Sequence, residues 1–186
     1  MQRYIVALFT VVLLGVGGAL LFKHRNKIYA HDQLRPQRAY CVNNLKQIAV
    51  AFKIWAGDHG GQFPFNVSTN AEGTSEFRSA DKNGFDSNIA AHLQAMSNEF
   101  FTTRILICPK DTSKKPALDF GSLRADNVTY RLRTSITNMD SKQILMVCPI
   151  DGNILYSDGT VKADETGMEE SPNHRIMTVP DSTHGR

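Results

Sequence analysis

The stretch Pro36–Gly57, PQRAYCVNNLKQIAVAFKIWAG, decides how the rest of the chain is read. Cys41, Leu45, Ile48, Phe52 and Trp55 recur at steps of four, three, four and three residues, the spacing of one apolar stripe down an α-helix. Val42 and Ala49 widen the stripe, and Arg38, Asn43, Asn44, Lys46, Gln47 and Lys53 occupy the remaining surface. Pro36 suits a first helical turn, where its missing N–H has no helical partner to lose. Gly57, Gly60 and Gly61 supply the backbone freedom that ends a helix. A helix of about six turns with one apolar face needs a partner, most simply a sheet laid against it.

Downstream, GDHGGQFPFNVSTNAEGTSEF reads as an irregular surface connection. A second helix is expected from Ser87 to Phe100, with Ser87 as N-cap and Ile89, Leu93, Met96 and Phe100 on one face. Arg104–Cys108 reads as a buried strand stopped by Pro109, and Val128–Arg133 alternates as a half-exposed strand. Gln143–Cys148 and Asn153–Tyr156 flank the turn signal PIDG, and Asp158-Gly159 turns the chain again before Thr160–Lys162. The expected fold is α+β, a long amphipathic helix packed on a small antiparallel meander over residues 36–163. The tail, 164–186, is polar and aperiodic and is expected to be disordered.

Upstream, Tyr4–Phe22 contains no charged residue. Nineteen residues at about 1.5 Å each span about 28 Å, close to the hydrocarbon thickness of a bilayer. Arg3 flanks one end and Lys23, Arg25 and Lys27 the other. No small-x-small cleavage site follows Phe22, so residues 1–35 read as a retained transmembrane anchor with a juxtamembrane linker rather than a cleaved signal. Counting Lys and Arg on both sides favours a cytoplasmic C-terminal domain. A net charge of +3, with no interleaving of basic and aromatic residues, gives no reason to expect nucleic acid as a partner.

The run Cys41-Val42-Asn43-Asn44-Leu45-Lys46-Gln47-Ile48, with Ala51-Phe52, Trp55-Ala56, Asp58-His59 and Phe63-Pro64, resembles the type IV pilin-like and type II secretion pseudopilin-like proteins. It is closest to the prepilin-like sets of Verrucomicrobia and Planctomycetes. Met96–Glu99, Ile105–Pro109 and the closing Asn153–Val161 segment carry the likeness further, and Cys148 stands where many of those proteins have His. The resemblance implies a pilin-like fold on a single-pass anchor in the cytoplasmic (inner) membrane, with its globular domain periplasmic, opposite to the charge count. It also implies a non-enzymatic role in type II secretion or a type IV pilus-like system, with the membrane and other pseudopilin-like subunits as partners. One departure bears on assembly. Gly15, Gly17 and Gly18 lie in the anchor without the acidic residue that marks prepilin processing, so an uncleaved anchor is expected. The alternative is a membrane-tethered extracytoplasmic binding module, for calcium or a glycan, that shares the fold.

Several residues invite chemistry. Cys41, Cys108 and Cys148 cannot all pair within one chain; outside the cytoplasm one disulfide and one spare thiol is a reasonable arrangement. Cys108 with Cys148, or Cys41 with Cys108 across the helix–sheet interface, are both open, as are three buried reduced thiols. Cys108-Pro-Lys-Asp111 recurs in form as Cys148-Pro-Ile-Asp151; two thiolates and two carboxylates would suit a tetrahedral metal, although no CxxC or HxxxH spacing accompanies them. Asp151, Asn153 and Asp158 offer oxygen ligands for calcium, in line with the C-terminal calcium loop of major pseudopilins. Their spacing does not match a twelve-residue calcium loop, and turn formation explains them equally. No other cofactor is expected. Asp58-His59, His92 and the Asp151/Asp158 pair are conceivable acid–base groups, but no GxSxG, phosphate-binding glycine loop or paired metal-ligand motif supports an enzyme.

Overall fold

The computed structural model describes residues 2–137, 139 and 142–163, with the side chains of residues 2–16 and 24–36 outside that set. One helix, α1 (Gln2–Asp58), is followed by a connection carrying three short 3-10 turns, Pro64–Asn66, Thr69–Ala71 and Ser75–Phe77. A short helix α2 (Ile89–Ala95) and further 3-10 turns lead into the strands β1 (Arg131–Leu132), β2 (Ile144–Val147), β3 (Ile154–Tyr156) and β4 (Val161–Lys162). The strands form an antiparallel meander in the order β1-β2-β3-β4. Leu132 faces Met146, Met146 faces Leu155, and Leu155 faces Val161, so one row of apolar residues crosses the sheet. The architecture is α+β, as the periodicity implies.

The expected stripe is the spine of the core. Cys41, Leu45 and Ile48 are fully buried, and Phe52 and Trp55 nearly so. They join Phe63, Phe65, Leu93, Leu106, Tyr130, Leu145 and Leu155 in one cluster. Burying side chains of this size contributes about 1.5–3 kcal/mol each. Phe63 stacks on Phe65 and meets Phe52 edge-on, which turns the chain leaving α1 back against the helix.

Three elements differ from expectation, and the join at Pro36 is decided: α1 runs through it as one continuous helix. Proline removes one i→i−4 bond, and the turns on either side keep their own. The helix expected over Ser87–Phe100 is shorter: it starts after Asn88, whose N–H is held in a turn by Asp86 Oδ1 at 2.8 Å, and Ser87 is not its N-cap. At the far end Met96 leaves helical geometry (φ −98°, ψ 18°), and a 3-10 turn, Ser97–Glu99, follows. The strand expected at Arg104–Cys108 is instead a 3-10 turn over Thr103–Leu106, whose Arg104 N–H is capped by Thr102 Oγ1 at 3.3 Å. An apolar run of this length suits either element by periodicity. Only Leu106 O keeps a strand-like bond, accepting Thr129 N–H at 2.9 Å. The strand expected at Val128–Arg133 is reduced to β1 with a bridge between Arg133 and Phe85.

Among the described residues no helix is long and apolar enough to cross a membrane. The span expected at Tyr4–Phe22 falls mostly on side chains outside the described set, and the tail 164–186 lies outside it entirely.

Candidate metal centre

Four side chains from four places in the chain converge beneath α1. Cys41 begins the buried stripe of the helix, Cys108 follows the Thr103–Leu106 turn, Cys148 ends β2, and Asp151 lies in the β2–β3 turn. Their three Sγ atoms and one carboxylate oxygen all lie within 4.8 Å of one another, and all four residues are buried. The three cysteines are free thiols.

Local sequence explains each placement. Pro149 and Gly152 shape the turn after β2: Gly152 has φ +69°, which a residue with a Cβ resists, and its N–H returns to Cys148 O at 2.9 Å. Asn153 O then accepts Cys148 N–H at 2.9 Å, closing the hairpin with Asp151 pointing inward. Cys108 is fixed on the other side, its N–H donating to Thr129 Oγ1 at 3.1 Å. Asn44, one turn along α1 from Cys41, donates to Ile107 O at 3.0 Å and so pins the helix beside Cys108.

The sulfurs sit among donors. Asp151 N–H points at Cys148 Sγ at 3.4 Å, and Tyr130 Oη reaches Cys41 Sγ at 3.8 Å. Asp151 Oδ2 lies 3.4 Å from Cys108 Sγ while its Oδ1 takes Lys110 Nζ at 2.5 Å. Hydrogen bonds from the Cys108 and Cys148 thiols pull the Cys41 pKa far down, and the reciprocal bonds push Cys108 far up. The Cys108 bond draws Cys148 down, but its bond to Cys41 and burial outweigh this and leave it at about 12. Three thiols packed this closely titrate as one coupled set. Such a set can close a disulfide between two sulfurs, bind a soft metal, or remain a hydrogen-bonded thiol cluster.

Of the residues singled out in the sequence, the Cys-Pro-x-Asp repeat is split. Asp151 joins the thiols, whereas Asp111 turns away to accept Thr129 Oγ1 at 2.7 Å and Ser113 Oγ at 2.6 Å. Cys41 takes the remaining corner, and its placement at the top of the helix–sheet interface was the signal for it. Of the oxygen set expected for calcium, Asp151 and Asn153 are buried, while Asp158 accepts Thr160 N–H at 2.8 Å and Thr160 Oγ1 at 2.6 Å within its own turn. The acid–base candidates are dispersed as well. His59 stacks on Trp55 with ring centroids 3.6 Å apart, and His92 is buried beneath α2 against Asp86, 3.4 Å away. The molecule is thus an α+β domain with a closed three-thiol, one-carboxylate centre under its main helix. Set against known proteins, the chain matches no family model, no curated protein and no solved structure.

Proposed function

We propose that this chain is a non-enzymatic, membrane-anchored pilin-like protein of a type II secretion or type IV pilus-like system, its globular domain held outside the cytoplasmic membrane. The observation that carries this reading is the division of α1. From Cys41 to Ala56 the helix carries the core, while the same helix continues back to Gln2 and leaves Leu20, Leu21 and Phe22 exposed. Exposed apolar side chains on a bare helix need a non-aqueous neighbour, either lipid or the same segment of other subunits. Tyr40, Val50 and Ile54 add apolar exposure on the outer side of the packed half, where a neighbouring subunit would lie. The buried centre has no open face for a substrate, in keeping with a structural role.

Fractionation with intact-mass analysis tests the proposal. The full chain is expected in the membrane fraction, extracted only by detergent, and a sheared surface fraction containing it would place it in filaments. Recovery in the soluble fraction with an intact N-terminus would overturn the anchor.

A further inference from the structure

We propose that Cys41, Cys108, Cys148 and Asp151 bind one zinc ion, as a structural centre that fastens α1 to the β2–β3 turn. A tetrahedral zinc with sulfur at about 2.3 Å and carboxylate oxygen at about 2.0 Å has ligand–ligand edges of about 3.5–3.8 Å. The Cys108 Sγ–Asp151 Oδ2 edge is 3.4 Å, and no edge of the set exceeds 4.8 Å. Four ligands from one protein, all buried, make a closed site with no position left for water, which is the structural rather than the catalytic form. Soft thiolates select zinc over the hard cations that prefer oxygen alone.

The surroundings fit a bound metal. The backbone N–H of Asp151 points at the Cys148 sulfur, and the Tyr130 hydroxyl reaches that of Cys41. Donors of this kind orient thiolates and disperse their charge. Lys110 holds Oδ1 of Asp151 and leaves Oδ2 to face the sulfurs. Three thiolates and a carboxylate outweigh the charge of one zinc, and the Lys110 ammonium offsets part of the excess.

Neither rival accounts for all four groups. A disulfide needs two sulfurs about 2.05 Å apart. It would leave a third sulfur and a carboxylate, itself 0% exposed, crowded around it. A cluster of apolar thiols gives no reason to bring Asp151 inside. The ion would tie residue 41 to residue 148 and so close a loop of about one hundred residues, the kind of cross-link that most restricts the unfolded chain.

The test uses the full-length chain, reduced and reconstituted with zinc or cobalt(II), and is indifferent to whether the chain assembles. Elemental analysis is expected to give one zinc per chain. Cobalt should show tetrahedral d–d bands with thiolate-to-metal charge transfer, and all three cysteines should resist iodoacetamide until a chelator is added. Asp151→Asn, nearly isosteric, should weaken zinc by about tenfold or more, and Cys148→Ser should remove the corresponding charge-transfer intensity. Asp111→Asn, outside the set, should change neither. Absence of metal from the reduced, reconstituted chain would overturn the proposal. So would a purified mass two hydrogens short with two cysteines inert after chelation, or a cobalt spectrum indifferent to Asp151→Asn. Should Cys148→Ser fail to fold, the unsubstituted chain's alkylation pattern and Asp151→Asn decide the matter.

Discussion

Beneath α2, His92 and Asp86 are as deeply buried as the thiols beneath α1, yet the two polar clusters are built on opposite plans. Asp86 is surrounded by donors of its own: Ser79 N–H at 2.9 Å, Asn88 N–H at 2.8 Å and Thr134 Oγ1 at 2.8 Å, with His92 Nε2 beside it. Burial acts to raise its pKa, but these hydrogen bonds outweigh it and hold the carboxyl below the usual range. His92 meets Thr74 through Nδ1 at 2.7 Å. In that cluster the Asp86 carboxylate is met by donors from the same protein, and His92 Nε2 lies 3.4 Å from it. Around Cys41 the converging groups are instead four potential ligands facing one another. Hydrogen bonds within the protein serve the first cluster, whereas the second is the one we propose takes a cation at its centre. The distinction matters because two equally buried polar knots would respond differently to metal, mutation and pH.

The largest expected effect sharpens that contrast. Asp86→Ala strands the donors of Ser79, Asn88 and Thr134 and should cost about 3–4 kcal/mol in urea unfolding, with or without chelator. A cost of the substitution that changes when chelator is added would break the separation of the two clusters. Next, removing zinc from the unsubstituted chain should cost about 2.7 kcal/mol when free zinc had stood at a hundred times its Kd. At this chain length each kcal/mol lowers Tm by roughly 2–4 °C, readable by calorimetry. Equal melting with and without zinc would place the thiols in the same self-sufficient class as His92 and Asp86.

Smaller effects follow. Lys110→Met removes the cation from Asp151 Oδ1 and should weaken zinc by about tenfold, measured by competition with a chromogenic chelator, while Asp86 is untouched. The smallest effect belongs to His92. Burial lowers its pKa, with Arg78 adding to this and Asp86 opposing it. The folded state then resists a proton that the unfolded chain accepts near pH 6.5, so its contribution is full above that value. It is lost as pH falls from there toward the depressed folded pKa. Metal-free protein should lose about 0.7 kcal/mol between pH 7 and pH 6 if the folded state takes up no proton. His92→Gln should flatten that slope, and an unchanged slope would assign the pH dependence elsewhere.

Much of the fold was legible because it rests on periodicities that survive folding. The Cys41–Trp55 stripe, the short apolar runs of β2 and β3, and the PIDG and Asp158-Gly159 turns between and after them are local patterns with local causes. Arg104–Cys108 was misread because a short apolar run fits a strand or a turn of helix equally well; the Thr102 cap and the Thr129 hydroxyl settle it. The start of α2 was hidden for a similar reason, since it follows a turn, Asp86 Oδ1 accepting the Asn88 N–H, that no apolar spacing displays.

The centre was half legible. Two Cys-Pro-x-Asp segments announced a pair of similar turns, and one of the pairings weighed from sequence placed Cys41 against Cys108. One local feature, the Gly152 that follows it, separates Asp151 from Asp111. The first is turned inward by Gly152 and the return bond to Cys148, and the second is drawn off by Thr129 from another segment. By itself, the sequence determined an apolar stripe at helical spacing, a meander and three cysteines, because those depend on residue type and interval. Only the tertiary structure decided which four side chains meet. That choice depends on the register between α1, the Cys108 segment and the β2–β3 turn, and register is set by contacts between residues far apart in the chain.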